Sequence, residues 1–76
     1  MNNARRKKIE KLQLELDAIR DNLSEVVDEE QEYFDNIPEN FWGSERYEVA
    51  EEALDNLSSA MDSIEEAIDY LVEAMG

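Results

Sequence analysis

The 76 residues predict an all-α fold: an antiparallel two-helix hairpin, coiled-coil-like, that dimerises into a four-helix bundle. Three observations point there. The stretch 54–74 repeats one heptad three times, Leu54–Ala60, Met61–Ala67 and Ile68–Ala74. Each unit has an apolar residue first, Asp second, Leu or Ile fourth and Ala seventh. A second apolar series, at alternating spacings of three and four, runs from Ile9 towards Tyr33. Between the two series fall Pro38, the only proline, and Gly43. Heptad spacing is what a helix needs when it packs along its whole length on other helices, and Pro with Gly interrupts such a helix.

The first helix is expected at about residues 4–34. Ile9, Leu12, Leu16, Ile19, Leu23, Val26 and Tyr33 supply its a and d positions, Glu30 interrupts the series, and Val27 and Phe34 widen the stripe at its end. No Pro or Gly lies within it. The turn occupies residues 35–44. There Pro38 pushes Ile37 out of the helical region and removes a donor, and Gly43 frees the backbone.

The second helix is expected at about residues 45–75, with Ser44 as its N-cap and Glu45 and Glu48 suiting the positive end of its dipole. Its stripe runs Tyr47, Ala50, Leu54, Leu57, Met61, Ile64, Ile68, Leu71 and Met75. Ala53, Ala60, Ala67 and Ala74 flank that stripe at every seventh position. Two helices need only an a/d seam, so a third column of small residues suggests a second close neighbour. The expected core and oligomer seam is therefore Leu12, Leu16, Ile19 and Leu23 with Ala53, Leu57, Ala60, Ile64, Ala67 and Leu71. A homodimer of hairpins is the simplest closure; the alternatives are a monomeric hairpin capped by its loop, or one that becomes stable on a partner.

Residues 1–76 are read as one small domain. A chain this short leans on disulfides, metals or self-association, and it contains neither Cys nor His. Regular helix packing and self-association remain. No apolar run is long enough to span a membrane, and acids interrupt the stretch after the basic start, so the expectation is a cytoplasmic protein.

The net charge of −14 is unevenly spread. Residues 1–11 hold five basic side chains against Glu10, a net +4, whereas residues 12–76 hold twenty acids against Arg20 and Arg46, a net −18. Such a body repels nucleic acid and attracts basic partners. A basic cluster at a helix N-terminus also opposes the helix dipole. Folding back sets Arg5 to Lys11 beside Glu65, Glu66, Asp69 and Glu73, which favours the antiparallel arrangement.

Candidate binding residues concentrate at the turn. Glu29, Glu30, Glu32, Asp35, Glu39, Glu48, Glu51 and Glu52 form an acidic zone there. It reads either as a solubilising face or as a surface imitating the phosphates of nucleic acid. Five of the six aromatic residues also lie there: Tyr33, Phe34, Phe41, Trp42 and Tyr47. They read as a plug for the open end of the hairpin, with Phe41 and Tyr33 buried and Trp42 partly open, or as an exposed anchor centred on Trp42. No catalytic, cofactor or metal residue is assigned. Ser24, Ser44, Ser58, Ser59 and Ser63 have no base beside them, and neither a Glu-x-x-His pair nor a calcium loop is present.

The segments Asp28–Asn40 and Gly43–Glu48, with the opening Arg5–Lys11, resemble a group of small acidic helical proteins encoded by phages and prophages of Gram-positive bacteria. The resemblance implies a setting, the bacterial host cytoplasm, and a role in binding host or defence machinery. It carries no activity over to particular residues. The expected function is a non-catalytic acidic module that binds a basic or nucleic-acid-binding protein, as an inhibitor or nucleic-acid mimic, without contacting nucleic acid or membrane itself. The alternative is an assembly module whose acidity only keeps it soluble.

Overall fold

A computed structural model describes all residues 1–76. It contains two long helices, α1 (Asn3–Asp35) and α2 (Glu45–Met75), joined by a turn that includes one 3-10 turn at Glu39–Phe41. The helices pack on each other as a hairpin, and there are no strands. Each helix end is explained locally. Asn2 Oδ1 accepts the Arg5 N–H at 2.8 Å and caps α1. Ser44 Oγ accepts the Tyr47 N–H at 3.3 Å and caps α2, as its position before Glu45 and Glu48 predicts.

The turn is tightly wound. Ile37 N–H donates to Phe34 O and Phe41 N–H donates to Pro38 O, while Trp42 N–H returns to Glu39 O. The Trp42 indole N–H donates to Ile37 O at 3.1 Å, which pins the far side of the loop to the end of α1. Ile37 is thereby only 4% exposed, and Phe34 stacks on Tyr47 with ring centroids 4.8 Å apart. Gly43 takes φ +84°, a left-handed conformation that a side chain disfavours, and so aims the chain into α2. The aromatic plug therefore consists of Phe34, Ile37 and Tyr47. Tyr33, Phe41 and Trp42 lie outside it and are exposed, against the expectation that Phe41 and Tyr33 are buried.

The phase of α1 also differs from the sequence reading. Its partly buried side chains are Ile9, Gln13, Leu16, Arg20, Leu23, Val27, Glu30 and Phe34 with few additions, whereas Leu12, Ile19, Val26 and Tyr33 are 43–51% exposed. Both series share the column Ile9–Leu16–Leu23. They differ in whether the column 12/19/26/33 on one side of it or 13/20/27/34 on the other joins it against α2, a rotation of the helix of about 50°. Phe34 decides it: its ring on Tyr47 and the burial of Ile37 fix the rotation at the turn, and the helix carries that phase to its other end. The polar residues drawn inward are accommodated. Arg20 pairs with Asp17 at 3.6 Å and with Asp21 at 3.5 Å. On α2 the expected stripe holds, with Ala50, Leu54 and Ile68 buried and Leu57, Ile64 and Leu71 half-buried.

The expected pairing of the basic start of α1 with acids of α2 is not direct. The Arg6 guanidinium reaches Gly76, so the two ends do share one end of the rod. Yet Arg20 makes the only ion pairs. Exposed pairs of long side chains gain little over hydration, so proximity without contact is the ordinary outcome.

The hairpin is a rod measuring 59 × 15 × 13 Å with a radius of gyration of 17.4 Å. A globular chain of this length would have a radius of gyration of about 11 Å. Replacing Ser44 by Ala, or Gly43 by Ala, is expected to cost about 1 kcal/mol each. Thermal melts followed by far-ultraviolet circular dichroism at one fixed concentration check this, and an unchanged Tm for both variants would contradict the assigned turn geometry.

Candidate interaction surface

The two long sides of the hairpin differ in chemistry. On one side α1 presents Leu12, Ile19, Val26 and Tyr33, one residue from each turn pair, in a single column. The Tyr33 hydroxyl accepts the Arg46 Nε–H at 2.8 Å, and the guanidinium sits 5.4 Å from the Tyr33 ring centre. That contact shows which column of α2 lies on the same side, because Arg46 is seven residues before Ala53. Ala53, Ala60 and Ala67 follow it along α2. The opposite side carries Glu10, Asp17, Ser24 and Gln31 from α1 and Glu51, Ser58, Glu65 and Val72 from α2 at the equivalent positions, and is polar except for the exposed Val72 near the terminal end. An isolated pair of helices wants polar residues on both flanks of its seam, and here one flank is mainly polar while the other carries the longer apolar column between Arg5 and Arg46.

At the turn end of the apolar side, Tyr33, Arg46, Val49, Ala50 and Ala53 line an open groove of about 650 Å3, with Glu30 and Glu45 at its edge. Val49 is 59% exposed there, and Tyr70, on the same face of α2 further along, is 62% exposed. A groove with apolar walls, one cation and carboxylates at its rim suits an inserted side chain of another helix.

The acidic residues singled out from the sequence line different depressions of the turn half. Glu29 and Glu32 lie with Tyr33, Asn36 and Ile37 in a shallow depression beside the turn. Glu48, Glu51 and Glu52 gather with Asp55 in another, on α2 alone. Glu30, half-buried, belongs to the apolar groove. Asp35 accepts the Gln31 side-chain amide at 2.9 Å, and Glu39 sits in the 3-10 turn. Trp42 is 59% exposed, with its indole N–H held by Ile37 O and its ring 6.3 Å from that of Tyr47. It projects from the turn on a fixed base. No three acidic side chains converge at a spacing that would hold a metal ion.

Within the expected seam, Leu16, Leu23, Leu57, Ile64 and Leu71 lie between the helices. Leu12 and Ile19 do not, and stand on the apolar side; Ala53 and Ala67 are half-buried beside them and Ala60 is exposed. The residues of this side are legible in the sequence, but there 12/19/26/33 reads as the seam itself, with the alanine column of α2 flanking the seam on its other helix. No helix is long and apolar enough to cross a membrane.

No protein-family model, curated protein or solved structure matches the chain. Its surface chemistry must therefore be read from the residues themselves. The packing of Trp42 makes one prediction: its fluorescence is readily quenched by acrylamide, and Tyr47→Ala or Phe34→Ala loosens the turn without changing that accessibility much. A Trp42 emission shielded from quencher at micromolar concentration would contradict the exposed position.

Proposed function

We propose that this chain is a non-catalytic protein-interaction module that works by helix-on-helix association through its apolar side, building a four-helix bundle. One observation carries the reading: only four of the 76 residues are buried, Ile37, Ala50, Leu54 and Ile68, while large apolar side chains line one flank in register. Contiguous exposed apolar columns of this kind mark interaction surfaces, whereas scattered apolar residues do not. The acidic remainder of the surface then serves solubility, since like-charged rods repel one another except where the apolar side overcomes it.

A second reading rests on a separate observation. The turn end has Phe41 and Trp42 exposed among acids, and residues 28–52 hold ten acids against Arg46 alone, a net −9. Such an end suits a basic protein, with Trp42 as the anchor and carboxylates as the rim. In the phage setting implied by the sequence resemblance, that partner is a basic or nucleic-acid-binding host protein in the bacterial cytoplasm, and occupying its anion-binding groove inhibits it.

The two readings separate by mutation. Ile19→Asp places a charge in the apolar column and is expected to reduce the mass measured by light scattering from twice 8.8 kDa to 8.8 kDa, with a large loss of helical signal at micromolar concentration. Leu14→Asp, at an equally exposed leucine off that side, is expected to leave both unchanged. A wild-type chain that stays monomeric at high micromolar concentration would refute the assembly reading. Binding to a basic protein that weakens steeply with salt, and is lost on neutralising Glu29, Glu30, Glu51 and Glu52, would favour the acidic reading; loss only with Trp42→Ala would favour the anchor.

A further inference from the structure

The apolar side has a register that specifies how it is covered. Seven-residue steps from the Tyr33–Arg46 contact set Val26 beside Ala53, Ile19 beside Ala60 and Leu12 beside Ala67. Ile19 and Ala60 are thus the middle level. Arg5 and Ala74 form the level at the terminal end, as Tyr33 and Arg46 do at the turn. We propose that a second copy of this chain covers this side head to tail, the turn of each copy lying against the terminal end of the other. This rests on the assembly reading above and adds the identity and orientation of the partner.

A face about 40 Å long and about 15 Å wide buries on the order of 600 Å2 per copy and about twice that for the pair, which reaches the size of a specific interface. Two symmetric pairings can cover it. With the two-fold axis along the rod, the turns meet and α1 of one copy lies on α2 of the other. With the axis across the rod at the level of Ile19 and Ala60, α1 lies antiparallel on the partner's α1 and α2 on the partner's α2. Both give apolar levels containing two large residues and two alanines.

Charge separates them. The turn end, residues 28–52, carries −9. The terminal end combines +4 from residues 1–11 with the four acids of residues 65–76, a net of zero. Meeting turn to turn brings −9 against −9, and meeting head to tail brings −9 against zero, with the basic cluster on the acidic turn.

The chemistry of the flanking residues agrees. On α2, Val49 and Tyr70 are the large apolar residues on the outer edge of this side, lying eleven residues before and ten after Ala60. On α1, Lys8 and Glu29 hold the equivalent edge positions, eleven before and ten after Ile19. The head-to-tail axis therefore brings Val49 of each copy to Tyr70 of the other, and Lys8 to Glu29. The lengthwise axis instead sets Val49 on Glu29 and Tyr70 on Lys8, burying apolar groups against charges. The spacing follows from the shared heptad register, and the pairing of Val with Tyr and of Lys with Glu favours the head-to-tail axis.

The chain has no cysteine, so a spin label at Asn40→Cys marks the turn uniquely. The expected result is a dimer by light scattering with its two labels at opposite ends of a rod about as long as the 59 Å hairpin. In the same assay, Lys8→Glu is expected to raise the dimer Kd about tenfold, since two pairs become repulsive, and the double variant Lys8→Glu with Glu29→Lys restores it. A dimer with both labels at one end, or no rescue by the double variant, overturns the head-to-tail pairing and leaves the assembly reading standing. A chain that remains monomeric at high micromolar concentration overturns both.

Discussion

Two helices cannot enclose a core. Each residue in a two-helix seam keeps one flank open to water, so an apolar side chain there is half-buried at best unless it sits on the line between the axes. The hairpin meets that limit directly: its seam leucines are half-buried, and full burial is reached only at the turn, where Ile37 closes the end, and at Ala50, Leu54 and Ile68 on α2. The rest of the molecule follows from this shortage. The caps at Asn2 and Ser44, the wound turn with the Trp42–Ile37 bond, and the unbroken run of both helices all hold local order that a small interior cannot supply.

The same shortage explains why one side of the rod is apolar. In the proposed assembly, self-association would contribute the burial that a single hairpin lacks, and a chain without cysteine or histidine has few other means of gaining it. In that assembly the charge distribution would filter how copies meet, because −9 concentrated at one end makes symmetric contact of like ends unfavourable. A rod joined head to tail would carry an acidic, aromatic turn at each end, with Phe41 and Trp42 exposed. Stability and presentation would therefore be divided between the sides and the ends of the bundle.

The inward polar residues fit the same picture. Gln13, Arg20 and Glu30 occupy positions that Leu would fill in a stronger seam. Arg20 lays its stem along the helix and turns its head to Asp17 and Asp21, which keeps its charge near water. Polar groups at seam positions weaken a helix pair but restrict its register, so the pairing of α1 with α2 is narrowed by what it excludes.

Much of this fold is legible in the residues. The heptad of Leu54–Ala74 makes α2 helical and names its buried stripe, Pro38 and Gly43 locate the turn, and Ser44 marks the cap, because these features act over a few residues and need no distant partner. The apolar columns of α1 are legible too, but not their use. Periodicity gives the angles between columns and leaves open which of them faces α2, and 12/19/26/33 and 13/20/27/34 flank the shared column 9/16/23 on opposite sides and compete to join it in the seam. Only the closed turn decides between them, since Phe34 on Tyr47 and buried Ile37 are contacts that form only when the two helices close on each other. That decision turned Leu12, Ile19 and Val26 outward. The sequence by itself determined two amphipathic helices, their ends and an acidic surface; the tertiary structure decided that the apolar column Leu12, Ile19, Val26 and Tyr33 of α1 lies half-exposed on the flank of the seam instead of in it, because the rotation of a helix is set by where its end is anchored.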